Sequence, residues 1–118
     1  MSVPDDERAA ILEEAYERTF EYEREYGYCP QVVLAGIQDV FGNVDDSVIQ
    51  ASHALAGGSA RSTEGTCGGL VGGILAIGAT FGRRRDEFGE STSEGPPRSA
   101  VLAKELQDRF EAEYGSII

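Results

Sequence analysis

Two cysteines, Cys29 and Cys67, are the residues of this chain best suited to covalent or ligand chemistry. Cys29 precedes Pro30, a residue favoured at the first helical position because its missing N–H would be unpaired there anyway. Cys67 opens the run CGGLVGGILAIGATFG, so it stands in the first turn of a second predicted helix. Unpaired backbone N–H groups and the positive end of a helix dipole stabilise a thiolate. Both positions therefore predict a lowered thiol pKa, with raised reactivity or metal affinity. The sulfurs can act together only if the two helices start at the same end of the fold. In the plainer reading both are small buried hydrophobes.

Other recognisable chemistry is scarce. Neither thiol lies in a C-x-x-C pair, and G-x-S-x-G, H-E-x-x-H, Walker A and dinucleotide signatures are absent. The glycines of residues 65–73 are followed by no lysine and do not match a phosphate loop. His53, the only histidine, is expected on a helix surface or beside a satisfied partner, with a ligand role the lesser reading. Glu13, Glu14, Glu17, Glu21 and Glu25 share one helix face, which reads as solvated; a metal-binding carboxylate cluster there would need facing ligands.

The elements that must position the thiols follow from periodicity and punctuation. A first amphipathic helix begins near Pro4, with Asp5 and Asp6 at its positive end, and stops at Gly27. A second runs from Cys29 or Pro30 to Gly42-Asn43, with Val33, Ile37, Val40 and Phe41 as its buried stripe. A third is capped by Asp45, Asp46 or Ser47 and reaches Gly57-Gly58. Residues 59–66 form a turn-rich loop. The stretch 65–85 then carries no charge until Arg83 and places Gly68, Gly72 and Ala76 on one i, i+4 row, with Gly69 and Gly73 on the next. Rows of small side chains let another backbone approach closely. Glycine costs about 1 kcal/mol relative to alanine inside a helix, so these positions call for compensating contacts. Arg83, Arg84 and Arg85 close this central helix where its dipole favours positive charge. Residues 86–98 read as a flexible connection. A last helix starts at Arg98 or Ser99, buries Leu102, Leu106 and Phe110, and ends at Gly115. No alternating strand pattern and no internal repeat interrupts this series. The expected fold is all-α, a single domain over 1–118, built as a bundle of about five helices around the glycine-rich one.

Composition narrows the function classes. Twenty-one acids face nine arginines and one lysine, a net charge of -11, which repels phosphate backbones and makes nucleic acid an unfavoured partner. Adaptation to high salt and a lysine-poor genome account for this balance equally well. The 18 uncharged residues from 65 to 82 approach the length of a membrane span. Their glycine content, the lack of a second span and the acidity of every other segment favour a buried helix instead. The start MSVPDDER lacks the basic and apolar regions of a signal peptide, which makes the cytoplasm the expected compartment. There, two cysteines are more often buried thiols, metal ligands or redox groups than a structural disulfide.

The segments YGYCPQVVLAGIQDVFG and GTCGGLVGGILAIGATFG together resemble the family of redox-active proteins named for its C_GCAxxG_C_C cysteine pattern. Tyr28, Cys29 and Gln31 match its Tyr-x-Cys-x-Gln segment. Cys67, Gly68, Gly72 and Gly78 match the cysteine-glycine segment and its small, apolar continuation, with Ser59 the other candidate for the place of the GCA cysteine. RFEAEYGSII resembles the last helix, so the likeness runs from about Glu21 to Ile118. The later cysteines of the pattern have no counterpart here. The resemblance implies a Cys29/Cys67 pair that is redox-active or binds metal, acting with a partner oxidoreductase or in a homo-oligomer. Two thiols cannot hold a four-thiolate iron–sulfur cluster within one chain. Two chains contributing both cysteines can, and a weaker zinc-like set would combine the thiols with His53 and a carboxylate. Two other readings stand beside this one. In the first, the groove of Gly68, Gly72 and Ala76 packs a partner helix in a non-catalytic scaffold or accessory subunit. In the second, the glycine helix lines a pocket for a flat cofactor.

Overall fold

A left-handed corner decides how the chain first folds back on itself. α1 (Asp5–Tyr26) stops at Gly27, φ 68°, and Tyr28 follows at φ 59°. Two successive residues with positive φ reverse the chain sharply enough for α2 (Cys29–Phe41) to lie along α1. Pro30 occupies the first turn of α2, and Gly42 ends it in the left-handed conformation, as the punctuation predicts. The computed structural model describes residues 4–89 and 95–118.

α3 (Asp46–Ser52) is shorter than expected, because His53 to Leu55 tighten into a 3₁₀ turn. Asp45 holds the N-cap position of α3 without a side-chain capping bond. α4 (Gly68–Phe81) is the glycine-rich helix, with Cys67 as its N-cap rather than in its first turn, and α5 (Arg98–Tyr114) ends at Gly115. There is no strand among the described residues. The fold is all-α. Of the connection expected at 86–98, residues 90–94 lie outside the described residues, and its start is a 3₁₀ turn over Arg85–Glu87.

The helices pack in the order α1, α2, α4, α5, with α3 against α2 and α4. α2 therefore meets neighbours on two sides. This corrects the expected stripe: Val32 and Leu34 are buried, Val33, Ile37 and Val40 are half-buried, and Phe41 is exposed. The core joins Leu34, Val44 and Ala76, with Ile37, Val48, Ile49 and Leu75 packed around them. Gln31 Nε2 donates to the Ile49 carbonyl at 3.1 Å and so ties α2 to α3. Asn43 Nδ2 donates to Thr80 Oγ1 at 2.7 Å at the other end of α4.

The glycine row of α4 is filled from within the chain. A methyl group on Gly68 would lie 2.9 Å from Pro30 Cδ and 3.0 Å from Cys29 Cβ, and one on Gly72 would lie 2.8 Å from Val33 Cβ. One on Gly73 would lie 2.8 Å from Leu106 Cδ2 of α5. The groove expected to accept a partner helix or a flat cofactor is therefore occupied by α2 and α5. The arginine run differs from expectation too. α4 ends at Phe81, so Arg83, Arg84 and Arg85 lie beyond its last turn. Arg83 and Arg85 stack on Phe88 at 4.6 and 5.9 Å, while Arg84 Nε pairs with Asp86 at 3.2 Å.

Substitutions on α4 separate close packing from helix propensity. Gly72→Ala is expected to destabilise the protein by about 1–3 kcal/mol, because Val33 meets the new methyl at its stiff Cβ. Gly78→Ala, where nothing lies within 4 Å, is expected to stabilise by about 0.5–1 kcal/mol. Urea unfolding of the two variants checks both signs.

Candidate functional site

The contact between α2 and α4 brings the thiols to one end of the fold. Cys29 is the first residue of α2, and its Cβ faces the backbone of Gly68, the residue that follows Cys67. Both cysteines are free thiols; Cys29 is exposed and Cys67 half-buried. α2 and α4 thus start at a common end, the condition under which the sulfurs can act together.

The lowered pKa expected of a thiol at a helix start is not found at Cys29. The Cys29 thiol is pushed above its ordinary pKa, first by desolvation, then by the charge of Glu23 and a hydrogen bond to it, then by Cys67. Cys29 Sγ donates to Glu23 Oε1 at 3.6 Å. Only the backbone N–H of Cys29 itself works in the other direction. The reason lies in the first turn of α2. Pro30 has no N–H, and the N–H groups of Gln31 and Val32 both donate to the Tyr28 carbonyl, at 3.0 and 3.3 Å. Beyond the Cys29 N–H the first turn has no donor left to offer the sulfur, so partial burial and a carboxylate prevail. At α4, the Cys67 side chain makes no capping bond, and the Cys67 N–H donates to the Ile117 carbonyl at 2.6 Å. The end of the chain is thereby fastened to the second thiol residue.

Glu23 escaped the sequence reading because only the corner at Gly27-Tyr28 returns α1 alongside Cys29. α1 is held there by Thr19 packed on Gly36, by the Tyr22 hydroxyl donating to Asp39, and by Arg18 paired with Asp39 at 3.5 Å. The hydrogen bond to Asp39 raises the Tyr22 pKa. Arg61 escaped as well. It lines a cleft of about 270 Å³ with Tyr28, Cys29, Ala56 and Gly57. Its one sequence signal is that it is the only cation between Arg24 and Arg83. His53 stands edge-on to the Tyr28 ring, with centroids 4.6 Å apart. Gln31 serves α3, and Ser59 lies in the loop beyond the cleft, where its N–H donates to the Leu55 carbonyl at 3.1 Å.

A family model described as "Putative redox-active protein (C_GCAxxG_C_C)" matches residues 27–118, which include both thiols and both helices that carry them. The chain belongs to the C_GCAxxG_C_C family. Comparison with curated proteins and with solved structures gives no match. The donors of a single chain do not fit the metal centres that two thiols suggest. Among the described residues no three His, Cys, Asp or Glu side chains gather as a ligand set. Among these residues, too, no helix is long and apolar enough to cross a membrane.

Alkylation of the Cys67→Ser protein by iodoacetamide isolates the Cys29 thiol. Its rate is expected to rise with pH through a midpoint above the ordinary cysteine range, because the folded environment favours the protonated form. Glu23→Gln is expected to move that midpoint down and to speed alkylation at neutral pH, with the high-pH plateau slightly lowered because a less basic thiolate is the weaker nucleophile. A wild-type midpoint below the ordinary range would mean that the dipole outweighs Glu23.

Proposed function

We propose that Cys29 and Cys67 form a redox-active dithiol that exchanges with disulfides and is returned to its starting state by a partner oxidoreductase. The observation that carries this reading is the packing of Cys29 on Gly68, next to Cys67, within a chain of the redox-active family. Cys29 is the attacking thiol, since it is the more exposed, and Cys67 resolves the mixed disulfide. A raised pKa leaves Cys29 mostly protonated near neutrality, yet a more basic thiolate is intrinsically the stronger nucleophile. Such a pair favours slow, selective exchange over indiscriminate oxidation.

The second reading, a non-catalytic interaction subunit, gains support from a different surface than the glycine groove. The outer face of α1 carries Leu12, Tyr16 and Phe20 at i, i+4 and i+8, with 57%, 70% and 55% of their surfaces exposed. Tyr16 and Phe20 stack on each other, and Glu13, Glu17 and Glu21 follow the stripe one position on. An edge helix of this kind suits a protein partner or a second copy of the chain.

Thiol titration before and after mild oxidation separates the two readings. The dithiol predicts loss of both thiols together, a mass decrease of about 2 Da in the monomer, and no such product from Cys29→Ser or Cys67→Ser. Two thiols that persist through oxidation would leave the interaction reading in place. Protein prepared without oxygen and found to hold one metal per two chains would reassign the pair as ligands at a contact between copies.

A further inference from the structure

Arg61 places a positive charge in the lining of the cleft that Cys29 also lines, in a chain of net charge -11. Among the described residues it forms no ion pair, although most of the other cations do. The backbone that delivers it is costly. Gly57, Gly58, Ser59, Ala60 and Arg61 have φ of 66°, 75°, 67°, 49° and 58°, a left-handed turn in which three residues carry side chains. Each such residue costs about 1–2 kcal/mol relative to right-handed backbone. The turn is held by the N–H of Ala60 on the Ala54 carbonyl at 2.7 Å, that of Arg61 on Ala56 at 3.0 Å, and that of Thr63 on Gly57 at 2.9 Å. It folds Arg61 back over Gly57, where an added methyl would lie 3.0 Å from Arg61 Cα. The arginine is thereby set in the wall of the cleft that opens at Cys29 and Tyr28.

We propose that this cleft admits small disulfides bearing a carboxylate near the sulfur–sulfur bond, with Arg61 holding the carboxylate while Cys29 attacks. The proposal rests on the dithiol reading and adds its substrate class. A guanidinium fork matches a carboxylate with two parallel hydrogen bonds. A volume of about 270 Å³ suits a compact molecule, lying just below the range of about 300–1,000 Å³ typical of small-molecule pockets. The rest of the surroundings argues for the opposite selectivity: Glu23 and the net charge both repel anions, so Arg61 is the local source of any preference for them. In one turnover the Cys29 thiolate bonds to one sulfur of the disulfide, whose S–S bond breaks, and the first half leaves as a thiolate that takes up a proton. Cys67 then gives up its proton and bonds to the Cys29 sulfur, releasing the second half. Two protein thiols lose two electrons and two protons, and the disulfide departs as two thiols.

Single-turnover rates of the pre-reduced full chain test this with 3,3′-dithiodipropionate, bis(2-hydroxyethyl) disulfide and cystamine, which are anionic, neutral and cationic. Arg61→Gln is expected to slow the anionic disulfide by roughly tenfold or more, to change the neutral one by less than about twofold, and to speed the cationic one. Arg61→Lys is expected to recover part of the anionic rate. Equal rates in wild type and Arg61→Gln, or equal slowing of all three disulfides, would overturn the role of Arg61 while leaving the dithiol intact. Failure of all three to produce a Cys29–Cys67 disulfide would instead overturn the dithiol. Should Arg61→Gln not fold, Arg61→Lys decides: a ratio of anionic to neutral rates below that of the wild type supports the proposal, and an unchanged or higher ratio overturns it.

Discussion

The approach of α2 to α4 over the missing side chains of Gly68 and Gly72 is the contact on which the remaining structure depends. Each glycine weakens α4 as a helix, and each permits a contact that a methyl group would forbid. Pro30 and Val33 fill the space, so the cost in backbone entropy is offset by dispersion and apolar burial along the seam. The same seam sets the relative height of the two helices. Because Gly68 receives both Pro30 and Cys29, α2 and α4 begin side by side, and the residue before Gly68 is the second thiol. Packing and chemistry share one determinant here. A larger residue at position 68 would disturb both.

Within the site, two physical effects compete for the charge state of Cys29. A helix start is commonly an anion-stabilising place, through free N–H groups as much as through the dipole as a whole. Here proline removes one donor and the Tyr28 carbonyl takes the next two. The field that remains is outweighed by partial burial of the sulfur and by a carboxylate at hydrogen-bond range. The result is a thiol held in its protonated form beside a second one, with an arginine across the cleft.

Much of this architecture is legible in the sequence, because glycine and proline mark where helices stop and start. Gly27, Pro30, Gly42 and Gly115 each stand at the boundary their chemistry predicts. The family likeness is legible too, in Tyr28, Cys29, Gln31 and the run from Cys67. Periodicity failed on α2, where a one-sided stripe was sought on a helix enclosed from two sides; Val32 and Leu34 are buried and Phe41 is exposed. It failed at Arg83 to Arg85 because Gly82 adopts an extended conformation and ends α4 before them. Glu23 and Arg61 were beyond local reading for another reason. One reaches the thiol through a reversal between helices, the other through a left-handed turn, and neither displacement leaves a spacing signature.

The position of α1 at the edge of the helix array has a kinetic corollary. Among the described residues α1 packs mainly on α2 and has no fully buried residue, so its release requires less free energy than unfolding of the whole. Glu23 travels with it. In any fraction of molecules where this helix has lifted, Cys29 loses its nearest negative neighbour and becomes more acidic. The thiol's effective reactivity is therefore an average over docked and undocked populations, and whatever clamps or loosens α1 acts as a rheostat on the sulfur without touching it.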